Sequence, residues 1–428
     1  MSARAARSVA AEALRRVIDE DAYSTLVIPA LLRRSGLDAR DRRFAAELAY
    51  GALRRRPFLD RVIAERATRS LARMSPTVRA ALRVGAYQLL FTAVAQHAAV
   101  GETVGLVAPR ERGFVNAILR RIAVERPALP VGEDDDAIAN RTGLAAWGVR
   151  ELRRLVGPDV SVAAEALSVP APLCLRTNTC RVSVTELSEA LAATGHEPAR
   201  STIDPDCLLV ERADPRLLPG YREGWFAIQD HASAFAARAL GTRPGERVLD
   251  ACAGPGGKAT ALACAAEPGG SVVAADLHPS RAGLVRDNAA RLGVSLTVLA
   301  QDAARPALRG PFDRILVDAP CSGLGSARRR PELLWRPRRE DLSRLARHQV
   351  AIVAGIASLL RPGGRLVYAV CTFPRAETDA AADAIRRHRP DLRPAVIEGP
   401  DGPSERVRLW PHLHGSDGMF LAAFERSA

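Results

Sequence analysis

Two cysteines leave apolar segments in the same manner, Cys321 in "DRILVDAPCSGLG" and Cys371 in "RLVYAVCTFP". A thiolate is both a nucleophile and a base, and its usefulness depends on its surroundings. Either cysteine alone reads as a buried structural thiol. At the ends of adjacent strands, beside an acid, the two read as reactive groups of one site. That acid is Asp318, which leaves its strand directly into Ala-Pro-Cys. A partly desolvated carboxyl there can hold or donate a proton at a base ring.

A third group precedes them. "LDACAGPGGKATAL" starts at Leu249 and holds Lys258, the only lysine among 61 Lys+Arg positions. Glycines let backbone approach a ligand closely, and the following helix N-terminus favours negative charge. The pattern is neither GxGxxG nor GxxxxGK[ST], which disfavours a dinucleotide or triphosphate. "SVVAAD" ends in Asp276, 19 residues after Gly257, the interval at which a carboxylate grips ribose hydroxyls. "LTVLAQDAA" brings Asp302 to the same edge, where it can meet an adenine. Three strand ends in sequence, each with a polar residue, describe an adenosine pocket. S-adenosyl-L-methionine (SAM) fits it, because the loop need not hold phosphates.

Such strand ends must come from alternating strands and helices. From Glu246 the apolar segments "RVLDA", "SVVAAD", "LTVLA", "DRILVD" and "GRLVYAV" alternate with helical patterns, predicting a mostly parallel, doubly wound sheet. A late "MFLAAF" is expected to add an antiparallel edge. Upstream, "PLCLRTNT" and "CLLVE" read as strands and "SVTELSEALAATG" as a capped helix, a small α+β unit. The first 125 residues read as helices, with stripes at Val9, Ala13, Leu14, Val17 and Ile18, at Leu82, Ala86, Leu89 and Leu90, and at Phe114, Val115, Ile118, Leu119 and Ile122.

Composition narrows the partners. Of the net charge of +13, residues 1–130 carry +11, from 23 Arg against 12 acids. That asymmetry points to a polyanion, and nucleic acid is the expected one. No apolar run reaches the roughly 18 residues of a membrane span, and no signal-peptide core is present, so a cytoplasmic protein is expected. The seven cysteines are odd in number and include no CxxC pair, which argues against a disulfide framework and against a zinc site. "SARRRPELLWRPRR" clusters arginines beside Trp335, an expected lining for an RNA channel with a base stacked on the indole; the other reading packs Trp335 inward.

"DACAGPGGKAT", "DAPCSGLG" and "YAVCTF" resemble the RNA cytosine-C5 methyltransferases of the Nol/Nop/Sun family. "ELAYGALRRR" and "ERGFVNAILRRI" resemble a NusB-like RNA-binding domain, a combination similar to the bacterial small-subunit (16S) ribosomal RNA members. The resemblance covers nearly the whole chain and is weakest over 126–165. It implies a multidomain protein: an all-α NusB-like bundle over 1–128, a linker with short helices over 129–168, a small α+β RRM-like unit over 169–222, and an α/β doubly wound Rossmann-like SAM methyltransferase domain over 223–428. It further implies Cys371 as nucleophile at cytosine C6, Asp318 stabilising protonation at N3, and Cys321 removing the C5 proton or releasing the product. Cys252, Ala253, Gly254, Pro255, Gly256, Gly257 and Lys258 would bind the cofactor, with Asp276 on the ribose, Asp302 near the adenine and Asp318 also in contact. Two departures are Gly254, where the family often has alanine, and Val370, where threonine is common. The expected partner is RNA, with no DNA and no membrane, and the expected state a monomer.

Two rivals make different demands. An exocyclic-amine methyltransferase usually wants an Asn/Asp-Pro-Pro-aromatic element where this chain has "DAPC", and it needs no second cysteine. An RNA-binding assembly or antitermination factor with an inactive methyltransferase domain would not need Cys321, Cys371, Asp318 and the cofactor-edge acids intact.

Overall fold

The computed structural model describes residues 3–211 and 213–427. They fall into two compact units, one of residues 3–169 with 327–337, the other of 170–211, 213–326 and 338–427. Among the described residues no helix is long and apolar enough to cross a membrane.

The first unit is all helical, as the stripes predict. Seven helices span Ala3–Asp19, Ser24–Arg34, Ala39–Arg54, Arg56–Ala64, Pro76–Phe91, Gln96–Val104 and Pro109–Glu125. Asp38 and Ser75 cap two of them by accepting from the backbone N–H groups of Asp41 and Val78. Leu14, Val17, Leu82, Ala86, Val115, Ile118 and Leu119 fill one core. Gly51 is required by close approach: a Cβ there would lie 2.0 Å from the Tyr87 ring, whose hydroxyl donates to Glu47 Oε1 at 2.7 Å. Three more helices follow at Asp135–Thr142, Ala146–Val156 and Val160–Ser168.

Residues 327–337 pack within this helical unit, and they correct one expectation. The Trp335 Nε1–H donates to the Leu53 carbonyl at 3.0 Å, and Arg56 lies 3.9 Å over the indole face. Arg336 donates to the carbonyls of Val17 and Ala22, and the fully buried Glu332 accepts from the Ser24 N–H at 3.1 Å. Trp335 is a core contact rather than a platform for a base, because its ring and its N–H both have partners already.

The second unit carries two main sheets. The smaller contains β1 (Leu173–Thr177), β2 (Ala199–Arg200), β3 (Cys207–Val210) and β4 (Phe226–Ile228), in the order β2-β3-β1-β4 and antiparallel throughout. Its helix, Val184–Ala192, opens on a capping box between Ser183 and Glu186. The larger contains β5 (Arg247–Asp250), β6 (Ser271–Asp276), β7 (Thr297–Ala300), β8 (Phe312–Asp318) and β9 (Leu360–Val370). A small hairpin of β11 (Ile397–Gly399) and β12 (Gly402–Ser404) lies off it, and β10 (Leu392–Ala395), β13 (Arg406–Leu409) and β14 (Met419–Arg426) complete it. The parallel part runs β9-β8-β5-β6-β7, so the order reverses between β5 and β8. Ligands bind at such a reversal, at the carboxyl ends of the strands.

β14 is antiparallel, as expected, but it is interior rather than an edge. It pairs β9 on one side and both β10 and β13 on the other. "MFLAAF" is apolar without alternation, which suits a strand covered on both faces. A second correction concerns cysteine. Cys180 and Cys264 form a disulfide, with Cα atoms 5.7 Å apart and 84 residues of separation. It joins the loop after β1 to the helix Gly257–Ala266, a pairing of distant residues that neither an odd cysteine count nor the absence of CxxC can exclude.

Candidate active site

The glycine loop leaves β5 between its two neighbours. The Ala251 N–H donates to Leu316 O at 2.9 Å and the Ala253 N–H to Ala275 O at 2.8 Å, so the chain emerges between β8 and β6. Gly256 adopts φ +108°, a conformation glycine alone takes readily. At Gly254 a Cβ would meet Asp276 Oδ2 at 2.6 Å and Arg281 Nε at 2.8 Å. The loop therefore closes onto Asp276 more tightly than an alanine would allow. Gly257 begins the helix Gly257–Ala266, and Lys258 is its second residue.

Asp276, at the end of β6, accepts from the backbone N–H groups of Gly254 and His278, each at 3.0 Å, and has Arg281 Nε at 3.3 Å. A carboxylate oxygen can accept two hydrogen bonds, so capacity remains for ribose hydroxyls. Asp302, just after β7, is half-buried and caps its own turn through the Ala304 N–H at 2.9 Å.

Lys258 is the centre of the polar contacts. Its ammonium donates to Asp318 Oδ2 at 2.7 Å and to Ser233 Oγ at 2.6 Å. Burial disfavours the charge, but Asp318, Cys371 and Asp250 together outweigh it and hold the lysine pKa above its ordinary value. Ser233 also accepts from Gln229 Nε2 at 3.2 Å, and Gln229 Oε1 accepts from Arg176 Nε at 2.8 Å. Arg176 further donates to Thr260 Oγ1 at 3.0 Å, so the small sheet grips the helix that carries Lys258.

Cys321 Sγ and Cys371 Sγ lie 3.4 Å apart, past the ends of β8 and β9. The backbone continues that pairing, with the Ala319 N–H donating to Ala369 O at 2.9 Å. The hydrogen bond to Cys371 and burial push the Cys321 thiol well above its ordinary pKa, so it keeps its proton in the resting site.

The structure thus brings Lys258, Asp318, Cys321 and Cys371 to the edge that holds the loop Cys252–Lys258, Asp276 and Asp302. It also supplies groups that sequence reasoning missed. Asp250 ends β5, is fully buried, and has no side-chain donor on either oxygen; the Cys252 backbone N–H acts to lower its pKa. Burial first, and the Asp318 charge second, push its pKa up to about 7. A carboxylate closing an apolar strand before the glycine loop follows the pattern of Asp276 and Asp318 and was available as a signal. Ser233, Gln229, Ser322, Thr372 and Glu377 carried no such mark, because their roles depend on contacts distant in sequence.

The glycine loop closing on Asp276 and the orphaned acid Asp250 fit SAM, whose ribose needs acceptors and whose methionyl ammonium needs an anion. An arginine-rich helical bundle, in one chain with a doubly wound sheet that carries this edge, defines a SAM-dependent RNA methyltransferase. Residues 237–425 match the family model described as 16S rRNA methyltransferase RsmB/F, residues 4–124 the NusB family, and residues 144–215 the RsmF/B-like ferredoxin-like domain. The chain belongs to the RsmB/F family. A protein of Mycobacterium tuberculosis named as a methyltransferase is 40% identical over 98% of this chain and 96% of its own. The ribosomal RNA small subunit methyltransferase B of Pseudomonas syringae pv. tomato is 35% identical over 97% of this chain and 96% of its own. In fold, the chain is similar to the crystal structure of PH0851, with a TM-score of 0.85 at 24% identity, covering 100% of this chain and 99% of that one.

Proposed function

We propose that this chain methylates C5 of a cytosine in small-subunit (16S) ribosomal RNA through a covalent bond from Cys371 to C6. The observation that carries the reading is the pair of thiols 3.4 Å apart beside the Lys258–Asp318 ion pair. A second thiol has no task in methylation of an exocyclic amine. The curated relatives named for small-subunit ribosomal RNA support the choice of substrate.

The loop Cys252–Lys258, Asp276, Asp302 and Asp318 would hold SAM, which supplies an electrophilic methyl group. The protein's own residues must make C5 nucleophilic. Attack of the Cys371 thiolate forms the S–C6 bond and shifts the C5–C6 π electrons into C4–C5 while the C4–N3 π pair moves onto N3, leaving C5 enamine-like. N3 takes a proton from solvent as the electrons reach it, and Asp318, held by the Lys258 ammonium, accepts a hydrogen bond from that N3–H. Once Cys371 is bonded to carbon and C5 carries the methyl group, the hydrogen bond and charge that Cys371 contributed to holding the proton on Cys321 are gone, while burial, Glu377 and Asp318 remain. The Cys321 proton can then leave to solvent, and its thiolate takes the C5 proton. The C5–H electrons re-form C5=C6 and expel Cys371 as thiolate, and N3 returns its proton to solvent, which restores the site.

Bisulfite mapping of small-subunit ribosomal RNA from cells with and without the gene tests the assignment. Loss of one 5-methylcytosine on deletion is expected. An unchanged map would refute the substrate.

A further inference from the structure

Beneath the two thiols lies a group that the chemistry above does not use. Glu377, in the turn Arg375–Glu377, is fully buried. Its Oε1 accepts from the Ser322 N–H at 2.9 Å and from Gln349 Nε2 at 2.9 Å, and its Oε2 lies 2.5 Å from Ser322 Oγ. Ser322 directly follows Cys321, and Thr372 directly follows Cys371. The two hydroxyls are 2.6 Å apart. The Ser322 hydroxyl donates to Glu377 Oε2, which leaves it to accept from Thr372. Both cysteine loops therefore end on one carboxyl group, whose pKa burial raises.

The support continues around it. Gln349, on the helix Asp341–Ile356, also donates to the Pro320 carbonyl at 3.0 Å, fixing the residue before Cys321. The Tyr368 hydroxyl, on β9, lies 2.7 Å from the Glu377 carbonyl and 2.9 Å from Gln349 Oε1. Burying a carboxylate is costly, and an apolar residue would fill the space at less expense in free energy. What the carboxylate adds is a fixed geometry for two loops from different strands.

We propose that Glu377 is a positioning residue of the two-thiol site: through Ser322 and Thr372 it locks the Cys321 and Cys371 loops in the separation and orientation their division of labour needs. This rests on the two-thiol reading above. The groups facing Cys321 are Cys371, Glu377 and Asp318, with Tyr368 packed behind, so removing the Glu377 charge also removes one anion that opposes ionisation of Cys321.

The test uses the full chain with Glu377→Gln, Thr372→Val and Thr372→Ser. Methylation of small-subunit ribosomal RNA gives kcat and the KM for SAM. Iodoacetamide labelling of Cys321 and Cys371 across pH, read by mass spectrometry, reports each thiol without requiring turnover. Thr372→Val is expected to lose roughly 100-fold in kcat, the scale of a small misplacement, while KM for SAM stays within about twofold. Thr372→Ser, which keeps the hydroxyl, should recover most of that loss. Glu377→Gln should move Cys321 labelling to lower pH. Folded variants with unchanged kcat and unchanged labelling profiles would overturn the proposal, as would losses that follow melting temperature alone. If Glu377→Gln does not fold, the Thr372 pair decides by the same criteria. Full methylation by Cys371→Ser would instead sink the two-thiol reading, and the labelling profiles would still report whether Glu377 governs the loops.

Discussion

At the scale of the residue, the lone lysine and the orphaned acid make opposite predictions. Lys258 holds Asp318 and Ser233 with one compact ammonium, its side chain only 11% exposed. A guanidinium is longer, planar and forked, and it cannot place one nitrogen between those two oxygens without displacing a neighbour. Lys258→Arg is expected to lower kcat/KM at least about tenfold despite its conserved charge, and steady-state methylation checks this. Near-normal turnover would reduce the lysine to a compositional accident. Asp250 behaves differently, because burial raises its pKa to about 7 from an ordinary 3.8. Folding therefore favours its protonated form, so wild-type stability falls as pH rises from about 4 to about 7 and stays low above that. Asp250→Asn removes the titration. Chemical denaturation should find the variant more stable than wild type at pH 8, by at most a few kcal/mol, with the difference shrinking toward pH 4. A pH-independent difference would contradict the assignment.

At the scale of the element, strands and helices with a strong local period were legible, and pairings between distant segments were not. The five parallel strands, the glycine loop and the three strand-end acids declared themselves, because each depends on a short apolar run and the residue that closes it. β2 and β4, of two and three residues, are too short to carry a period, and β14 betrayed its interior position only by lacking alternation. Trp335 was ambiguous for a different reason: an indole beside arginines looks alike whether it waits for a base or, as here, is held by the Leu53 carbonyl and Arg56. The Cys180–Cys264 disulfide has no local signature at all. It closes a loop across 84 residues, so on chain-entropy grounds it contributes about 4.5 kcal/mol. Cys264→Ser should lower the melting temperature under non-reducing conditions, and adding reductant should bring wild type down to the variant. Thiol titration of the denatured, unreduced protein should find five free cysteines of the seven. Seven would remove the cross-link.

At the scale of the whole molecule, charge and chemistry are divided. The helical unit carries most of the excess arginine, and many of these are tied down: Arg15 to Glu12, Arg79 to Asp19 and Arg83 to Asp60. Others stand exposed, with Arg33, Arg34, Arg40, Arg42 and Arg43 on two consecutive helices. Replacing these five with alanine should weaken RNA binding and flatten its dependence on salt, by roughly 0.7 in logarithmic slope for each phosphate that is no longer neutralised. Filter binding across salt concentrations measures it, and an unchanged slope would move the RNA-binding face elsewhere. The covalent methyl transfer proposed here would depend on the second unit, where two thiols share one edge with the glycine loop. Its most direct test is to incubate the Cys321→Ala variant with SAM and small-subunit ribosomal RNA, digest the denatured complex, and sequence any RNA-linked peptide. The two-thiol chemistry predicts a stable adduct on Cys371, methylated at cytosine C5 and unable to release. Full turnover with no adduct, or methylation that survives Cys371→Ala, would contradict it.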